Sequence, residues 1–180
     1  MAKKNLVNLE TISEIITEEV GKLDWGGREV RIEDSPSFFI QLSVGSFTES
    51  PLAFVFADKQ EVVFYAGEIA NKINQTPGLD KLYGADSLFW KGLRFLNSIL
   101  GGKKTLEEVL QAVVHVIVIH EHRHTQQYDF LASKGLDVVR IIREENETLK
   151  YKDRPTEKDA FMYQKGKVRP LEKALAMYLK

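Results

Sequence analysis

The sequence predicts a single α+β domain over residues 1–180, made of an N-terminal helix, a small sheet of three or four strands, and later helices. Three patterns support this prediction. Apolar residues recur at helical spacing near the N-terminus, β-rich runs cluster between residues 28 and 67, and a segment without Pro or Gly extends from Thr105 to Gly135. Strands that come together in the chain, with most helices after them, are typical of this fold class.

The composition is that of a soluble globular protein. Of the 180 residues, 43% are hydrophobic and 28% are charged, which is enough apolar material for one core. The formal net charge of −1 provides no strong field for nucleic acid or an anionic membrane, so neither is expected as a partner. The sequence has no cysteine, which excludes disulfides, thiolate catalysis, iron–sulfur clusters and thiolate zinc sites.

No targeting or membrane segment is predicted. The basic N-terminus lacks the apolar run and the cleavage site of a signal peptide. The most apolar window, residues 112–119, is too short to cross a bilayer. We therefore expect a cytoplasmic protein, and the sequence favours no particular oligomeric state.

The first half of the chain should contain one helix and all the strands. Apolar positions at helical spacing predict an amphipathic helix over residues 9–23. Short β-rich runs predict strands at 28–34 and 37–44, separated by Pro36. Residues 51–67 contain two further β-rich runs around the polar turn ADKQ, which is the pattern of a β-hairpin.

Helical spacing returns after the hairpin. It predicts helices over residues 67–74 and 86–99, and the second should stop at the pair Gly101-Gly102. The mixed polar stretch at 140–154 is most simply read as a solvated connection.

Between these segments lies a long helix. Thr105 and Glu108 match a capping box, and Gly135 is a natural residue to follow the helix end. The helix would span about 29 residues, or about 44 Å at 1.5 Å per residue. The β-branched run at 113–119 is by itself compatible with a buried strand, but the cap, the length and the flanking residues favour a helix. Apolar residues surround its middle, so it should be buried.

Two of the four histidines in the chain form a metal-binding motif on this helix. Residues four apart differ by about 40° around a helix axis, so His120 and His124 share one face and can bind one metal ion. Glu121 lies about 60° from His124, beside the metal position, where it can accept a proton from water. The segment is therefore an HExxH motif, which a shuffled chain of this composition contains about once in a hundred. The plain alternative is a chance cluster on a buried helix.

The third metal ligand must come from elsewhere. A hydrolytic zinc site takes three protein ligands and leaves one position for water. No histidine follows His124, so the third ligand should be a carboxylate. Asp129 is on the same helix and points away from the two histidines, whereas Glu157 follows Pro155, a residue typical of a helix start. Asp159 and Asp153 are the substitutes, and a solvated acid at a helix start is the plain reading of Glu157.

Two segments together resemble a known family. HExRHxxQ and PxExDA are similar to motifs of small bacterial and phage proteins related to the gluzincin metallopeptidases, and the element order resembles that of the minigluzincins. The matching residues are His120, Glu121, Arg123, His124 and Gln127, then Pro155, Glu157, Asp159 and Ala160.

This resemblance implies a zincin-like fold with a buried HExxH helix and a C-terminal glutamate helix, and it makes Glu157 the third zinc ligand. It also implies that a sheet strand lines the cleft and pairs with an extended substrate. The chain departs from the family pattern at His122, where an apolar residue would be easier to bury, and the match assigns no separate residue to stabilise the transition state.

The expected function is that of a zinc-dependent metallopeptidase, with Zn²⁺ as cofactor and a peptide or protein as substrate. Zinc-bound water would be activated by Glu121, which accepts its proton and passes it to the leaving nitrogen. Tyr151, Arg154 and Tyr163 are three open candidates for stabilising the oxyanion. The main alternative is a non-catalytic, metal-stabilised zincin-like module that binds a protein partner. A nucleic-acid-binding relative is disfavoured by the net charge.

Five further residues receive supporting roles. Gln127 should hydrogen-bond in the second layer around the metal, and Arg123 should pair with a carboxylate such as Asp159, which might instead orient a histidine. His115 and His122 are seven positions apart, on the face opposite the motif, and we expect both to be satisfied core histidines.

Overall fold

A computed structural model describes residues 7–37, 51–75 and 106–179, which form six α-helices and one three-stranded sheet. The elements in chain order are α1 (Leu9–Val20), β1 (Glu29–Glu33), β2 (Ala53–Phe56), β3 (Glu61–Tyr65), α2 (Ala66–Gln75), α3 (Leu106–Ser133), α4 (Val138–Thr148), α5 (Pro155–Tyr163) and α6 (Leu171–Ala174). Short 3₁₀ turns lie at Tyr151–Asp153 and Ala176–Tyr178. The predicted α+β class is confirmed.

Some predicted features lie outside the described residues. They are the strand at 37–44 beyond Ser37, the helix at 86–99 and the Thr105 cap of the long helix. Within the described ranges, no helix has both the length and the apolar character needed to cross a membrane.

Helix α1 forms where the apolar spacing predicts it. The Asn8 side chain caps its first turn by accepting a hydrogen bond from the Thr11 amide at 2.8 Å. Ile12 and Ile16 are completely buried against the sheet and the long helix. The helix ends at Val20, three residues earlier than predicted, because Gly21 follows as the C-cap.

The sheet is small and mixed. Strands β2 and β3 form the predicted antiparallel hairpin, with Val55 opposite Val62, and β1 lies parallel to β3 on its other side. Alternate residues on one face of the sheet, including Val62 and Phe64, belong to the core that α1 and α3 cover.

The long helix α3 has 28 residues and is the central element of the fold. It contacts α1, β2 and α5, so its β-branched middle is enclosed on several sides and Val114 and Val118 are fully buried. This tertiary burial outweighs the small strand preference of the run. Gly135 adopts a φ of 72° after the helix end, and the Leu136 amide donates back to the Leu131 carbonyl at 3.2 Å, as expected for a glycine-terminated helix.

The solvated connection expected at 140–154 is wrong. Most of this stretch belongs to α4, which begins after Asp137, whose side chain accepts from the Arg140 amide at 3.0 Å. Ile141 and Glu145 lie on its buried face. The helix was missed because a glutamate occupies a position where a core helix normally has an apolar residue. Helix α5 then starts with Pro155 at its first position, as predicted, and packs against α3.

Candidate metal centre

The two histidines of the HExxH motif converge, as their spacing predicts. One turn of α3 separates His120 and His124, and their Nε2 atoms lie 3.1 Å apart. Both residues are buried, with 7% and 5% of their surface exposed. The packing around the middle of α3 therefore holds two imidazole nitrogens close together.

Glu157 meets these two nitrogens from the first turn of α5. Its Oε2 atom lies 3.2 Å from Nε2 of His120, and its Oε1 atom lies 3.6 Å from Nε2 of His124. The donor atoms of the three residues all lie within 4.8 Å of one another, so the group can hold a metal ion. Across the described ranges, no other group of three or more His, Asp or Glu side chains converges in this way.

The outer nitrogens of both imidazoles face glutamine side chains. Nδ1 of His124 lies 2.9 Å from Oε1 of Gln127, and Nδ1 of His120 lies 3.0 Å from Oε1 of Gln164. The amide nitrogen of Gln127 donates to Thr156 and Asp159, which leaves its oxygen facing the histidine. An amide oxygen only accepts, so with these amide orientations both Nδ1 atoms carry hydrogen.

This proton arrangement fits a metal ion. With hydrogen on Nδ1, the neutral form of each imidazole has a lone pair on Nε2, and the two Nε2 atoms face each other beside the Glu157 carboxylate. Two lone pairs in direct contact repel unless a proton or a cation lies between them. Two imidazole nitrogens and one carboxylate are also a common ligand set for zinc.

Without a metal, protons perform this role. Burial disfavours the charged form of His124, but the Glu157 and Glu121 carboxylates outweigh it and raise the His124 pKa to about 9. Burial likewise opposes the charge on Glu157, yet the two histidines hold its pKa well below the usual range. The cluster therefore attracts positive charge strongly, whether as a proton or as a metal ion.

A buried ion pair joins the two helices behind the cluster. Nε of Arg123 donates to Oδ2 of Asp159 at 2.7 Å, and both side chains are at most 5% exposed. Gln127 donates to the same carboxylate oxygen at 2.9 Å. The predicted pairing of Arg123 with Asp159 is thus present, and Asp159 reaches His124 indirectly, through Gln127.

Glu121 follows His120 in the chain and interacts electrostatically with His120, His124 and Glu157. It is partly buried beside the cluster, and within the described part of the chain its carboxylate forms no hydrogen bond or ion pair. Burial raises its pKa, while His120 and His124 act in the opposite direction. A carboxylate that is not engaged elsewhere is available to accept a proton.

The three candidates for oxyanion stabilisation lie in different surroundings. Tyr151 is 48% exposed, and desolvation, followed by the Glu157 and Glu121 carboxylates, raises its pKa well above the usual value, so its hydroxyl stays neutral. The guanidinium of Arg154 lies over the Tyr151 ring at 5.4 Å. The Tyr163 ring instead covers Arg123 at 4.7 Å, next to the buried ion pair. These contacts favour Tyr151.

The three other carboxylates considered as the third ligand each pair with another side chain. Asp159 accepts hydrogen bonds from two side chains, and its Oδ1 atom has no hydrogen-bond partner within the described ranges. Asp153 is exposed and lies 3.7 Å from Lys158. Asp129 pairs with Arg28 on the far side of α3, as its direction from the motif predicts.

The expectation for the remaining histidines is half wrong. His122 is buried against Trp25 and donates from Nε2 to the Asp24 carbonyl at 2.7 Å, so it is a core histidine, although its Nδ1 has no hydrogen-bond partner among the described residues. His115 is not, because its side chain is 52% exposed and its Nδ1 lies 2.7 Å from the buried carboxylate of Glu19. Helix α1 covers only part of this face of α3, which the spacing alone did not reveal.

Several residues of the site were missed from the sequence. The Phe161 ring lies 4.8 Å from that of His120, and the Tyr128 ring lies 5.9 Å from that of His124. For three of these residues, helical spacing could have predicted a place on the same face as a metal ligand. Tyr128 lies four positions after His124, and Phe161 and Gln164 lie four and seven positions after Glu157.

Comparisons with known proteins identify no relative: neither a protein-family model, nor a curated protein, nor a solved structure matches this chain. The resemblance to gluzincins therefore stays a prediction from the motif residues.

Proposed function

We propose that this protein is a zinc-dependent metallopeptidase of the zincin type. The observation that carries this proposal is the convergence of Glu157 on the two histidines, with Glu121 beside them and not engaged elsewhere. A tetrahedral zinc with ligands at 2.0–2.1 Å separates neighbouring donors by about 3.3 Å. The two Nε2 atoms are 3.1 Å apart, close to this value, and the two Glu157 oxygens lie 3.2 Å from the one histidine and 3.6 Å from the other. With one oxygen as the ligand, the three donor atoms lie within 4.8 Å of one another.

His120, His124 and Glu157 would hold the zinc, and a hydrolytic zinc with three protein ligands takes water as its fourth. When bound, zinc supplies Lewis-acid chemistry, which polarises a carbonyl group and makes water acidic near neutral pH. The net charge of such a centre is positive, because the histidines are neutral and the ligand set contains one carboxylate. This choice of ligands suits hydrolysis at neutral pH.

Glu121 would move the proton. It accepts a proton from the attacking water, whose oxygen forms a bond to the carbonyl carbon, and it delivers that proton to the nitrogen as the carbon–nitrogen bond breaks. The raised pKa of Glu121 suits this exchange, because its affinity for the proton is closer to that of its partners. Tyr151, as a neutral donor, would hydrogen-bond the oxyanion that develops on the substrate.

The test compares the parent protein with Glu121→Gln, Glu157→Ala and Tyr151→Phe. The parent should carry one zinc per chain and cleave unstructured peptides. Glu121→Gln should keep the zinc and lose about 10²–10⁴-fold in rate, whereas Glu157→Ala should lose the zinc. Tyr151→Phe should lower kcat by up to about 10²–10³-fold and leave the zinc content unchanged.

A parent that binds one zinc but cleaves nothing in a diverse peptide library would overturn the peptidase assignment. If zinc then only raised the melting temperature, the protein would instead be a metal-stabilised binding module. A parent that fails to bind zinc would remove both functions.

A further inference from the structure

Helix α4 buries a carboxylate that has no part in the proposed chemistry. Glu145 is 3% exposed and accepts hydrogen bonds from three donors. The Thr156 amide donates at 3.2 Å, and the hydroxyls of Thr156 and Tyr178 also donate to this carboxylate. Burying a carboxylate is costly unless donors compensate it, so this position serves a requirement that an apolar side chain would not meet.

Two of the three groups that donate to Glu145 belong to Thr156, at the start of α5. Thr156 is the second residue of α5, where backbone amides have no partner inside the helix. Glu145 satisfies one of them, and its negative charge is favourable at a helix N-terminus. The next residue is Glu157, so Glu145 fixes the turn of backbone that carries the proposed metal ligand.

Thr156 is also held on its other side. Its carbonyl accepts a hydrogen bond from Nε2 of Gln127 at 2.9 Å, and the same amide group faces Nδ1 of His124 through its oxygen. The peptide unit between Thr156 and Glu157 is thus tied to the histidine helix. Glu145 on one side and Gln127 on the other leave this backbone little freedom.

Tyr178, in the 3₁₀ turn Ala176–Tyr178, is the third donor. Its hydroxyl donates to Glu145, and the neighbouring Leu175 is fully buried in the core. Desolvation and this hydrogen bond raise the pKa of Tyr178, so it remains a donor. The C-terminal segment therefore closes over the carboxylate and excludes water from it.

We propose that Glu145, completed by Tyr178, is a positioning residue that sets the place of Glu157 in the metal centre. The proposal rests on the proposed metal site. Groups that orient metal ligands contribute about 10–100-fold in metal affinity. Glu145 acts through the backbone of Thr156, so it can affect the centre without touching a ligand atom.

The experiment measures the zinc dissociation constant by chelator competition, the Co²⁺ absorption spectrum and the melting temperature of the metal-free protein. The full-length variants are Glu145→Gln, Tyr178→Phe, Thr156→Val and Thr156→Ser. Glu144→Gln is the matched control, because Glu144 is the preceding residue of α4, is 63% exposed and, within the described part of the chain, has its side chain paired with Arg140 alone.

We expect Glu145→Gln and Thr156→Val to weaken zinc binding about 10–100-fold and to alter the Co²⁺ spectrum. Tyr178→Phe should have a smaller effect in the same direction, and Thr156→Ser and Glu144→Gln should match the parent. A purely structural role would lower the melting temperature but leave the spectrum and affinity of the folded variants unchanged, and that result overturns the inference. If the parent itself binds no zinc, the proposed function fails first, so the two failures are distinguishable.

Discussion

Helix α3 carries two pairs of histidines whose surroundings differ completely. His120 and His124 place their Nε2 atoms 3.1 Å apart beside a carboxylate from another helix. His115 and His122, on the opposite face, each contact a separate partner, namely the Glu19 carboxylate and the Asp24 carbonyl. All four residues are histidines of the same helix, so their different surroundings arise from the elements that pack against each face.

The comparison shows which surroundings enable a histidine pair to bind a metal ion. Spacing of four residues brings two rings together, but the glutamines on the outer nitrogens decide which nitrogen faces inward. A convergent carboxylate then adds the charge that a cation requires. The opposite face has neither the convergence nor the ordered outer partners.

The largest expected difference between the two faces is in metal content. His124→Ala should reduce bound zinc from about one per chain to almost none, because the proposed zinc site would lose one of its three protein ligands. His115→Ala should keep the full amount. Metal analysis after dialysis against zinc-free buffer measures both, and equal loss in the two variants would contradict the distinction between the faces.

The buried ion pair between Arg123 and Asp159 should contribute strongly to stability. Asp159→Ala leaves the Arg123 guanidinium buried without its carboxylate, which should cost about 3–5 kcal/mol in the free energy of unfolding. Glu144→Ala breaks an exposed pair with Arg140 and should cost less than about 1 kcal/mol. Urea unfolding of the metal-free variants gives both values. A cost below 1 kcal/mol for Asp159→Ala would mean that Arg123 finds other partners.

The outer glutamines should have an intermediate effect. Gln127→Ala removes the oxygen that accepts from Nδ1 of His124 and the amide that donates to the Thr156 carbonyl. Zinc affinity should therefore fall about 10–100-fold. Isothermal titration with zinc measures the change, with His122→Asn on the opposite face as the control. Parent affinity in Gln127→Ala would show that packing alone orients the His124 ring.

The smallest expected effect is a pH dependence of the metal-free protein. The His124 pKa is raised from 6.5 to about 9, so its stabilising contribution is complete below pH 6.5 and is lost as the pH rises to 9. The lowered pKa of Glu157 affects stability in acid, because its stabilising contribution is present above pH 4.5 and is lost at lower pH.

The melting temperature of the metal-free protein should therefore fall by up to about 10 °C between pH 6.5 and 9, and His124→Gln should remove this decline. The gain in melting temperature on adding zinc should increase over the same range, because zinc and the proton compete for the same nitrogen. A flat profile in the parent would contradict the strong coupling of His124 to Glu157.

The local parts of this structure were predictable. Helix α1, the β2–β3 hairpin, the long helix with its stop at Gly135 and the start of α5 at Pro155 follow from periodicity and capping residues. The prediction failed at 140–154, where Glu145 interrupts the apolar stripe of α4. A buried charge with partners far away in the chain has no local signature.

By itself, the sequence determined which residues could meet: His120 and His124 on one face of a helix, and an acid near the start of a later helix. These follow from the helical repeat and from the preference of proline for a first turn. Only the tertiary structure decided that Glu157 converges on the pair, that Gln127 and Gln164 orient the rings, and that His115 stays exposed. The packing of helices more than 30 residues apart decides these points, and local patterns do not encode it.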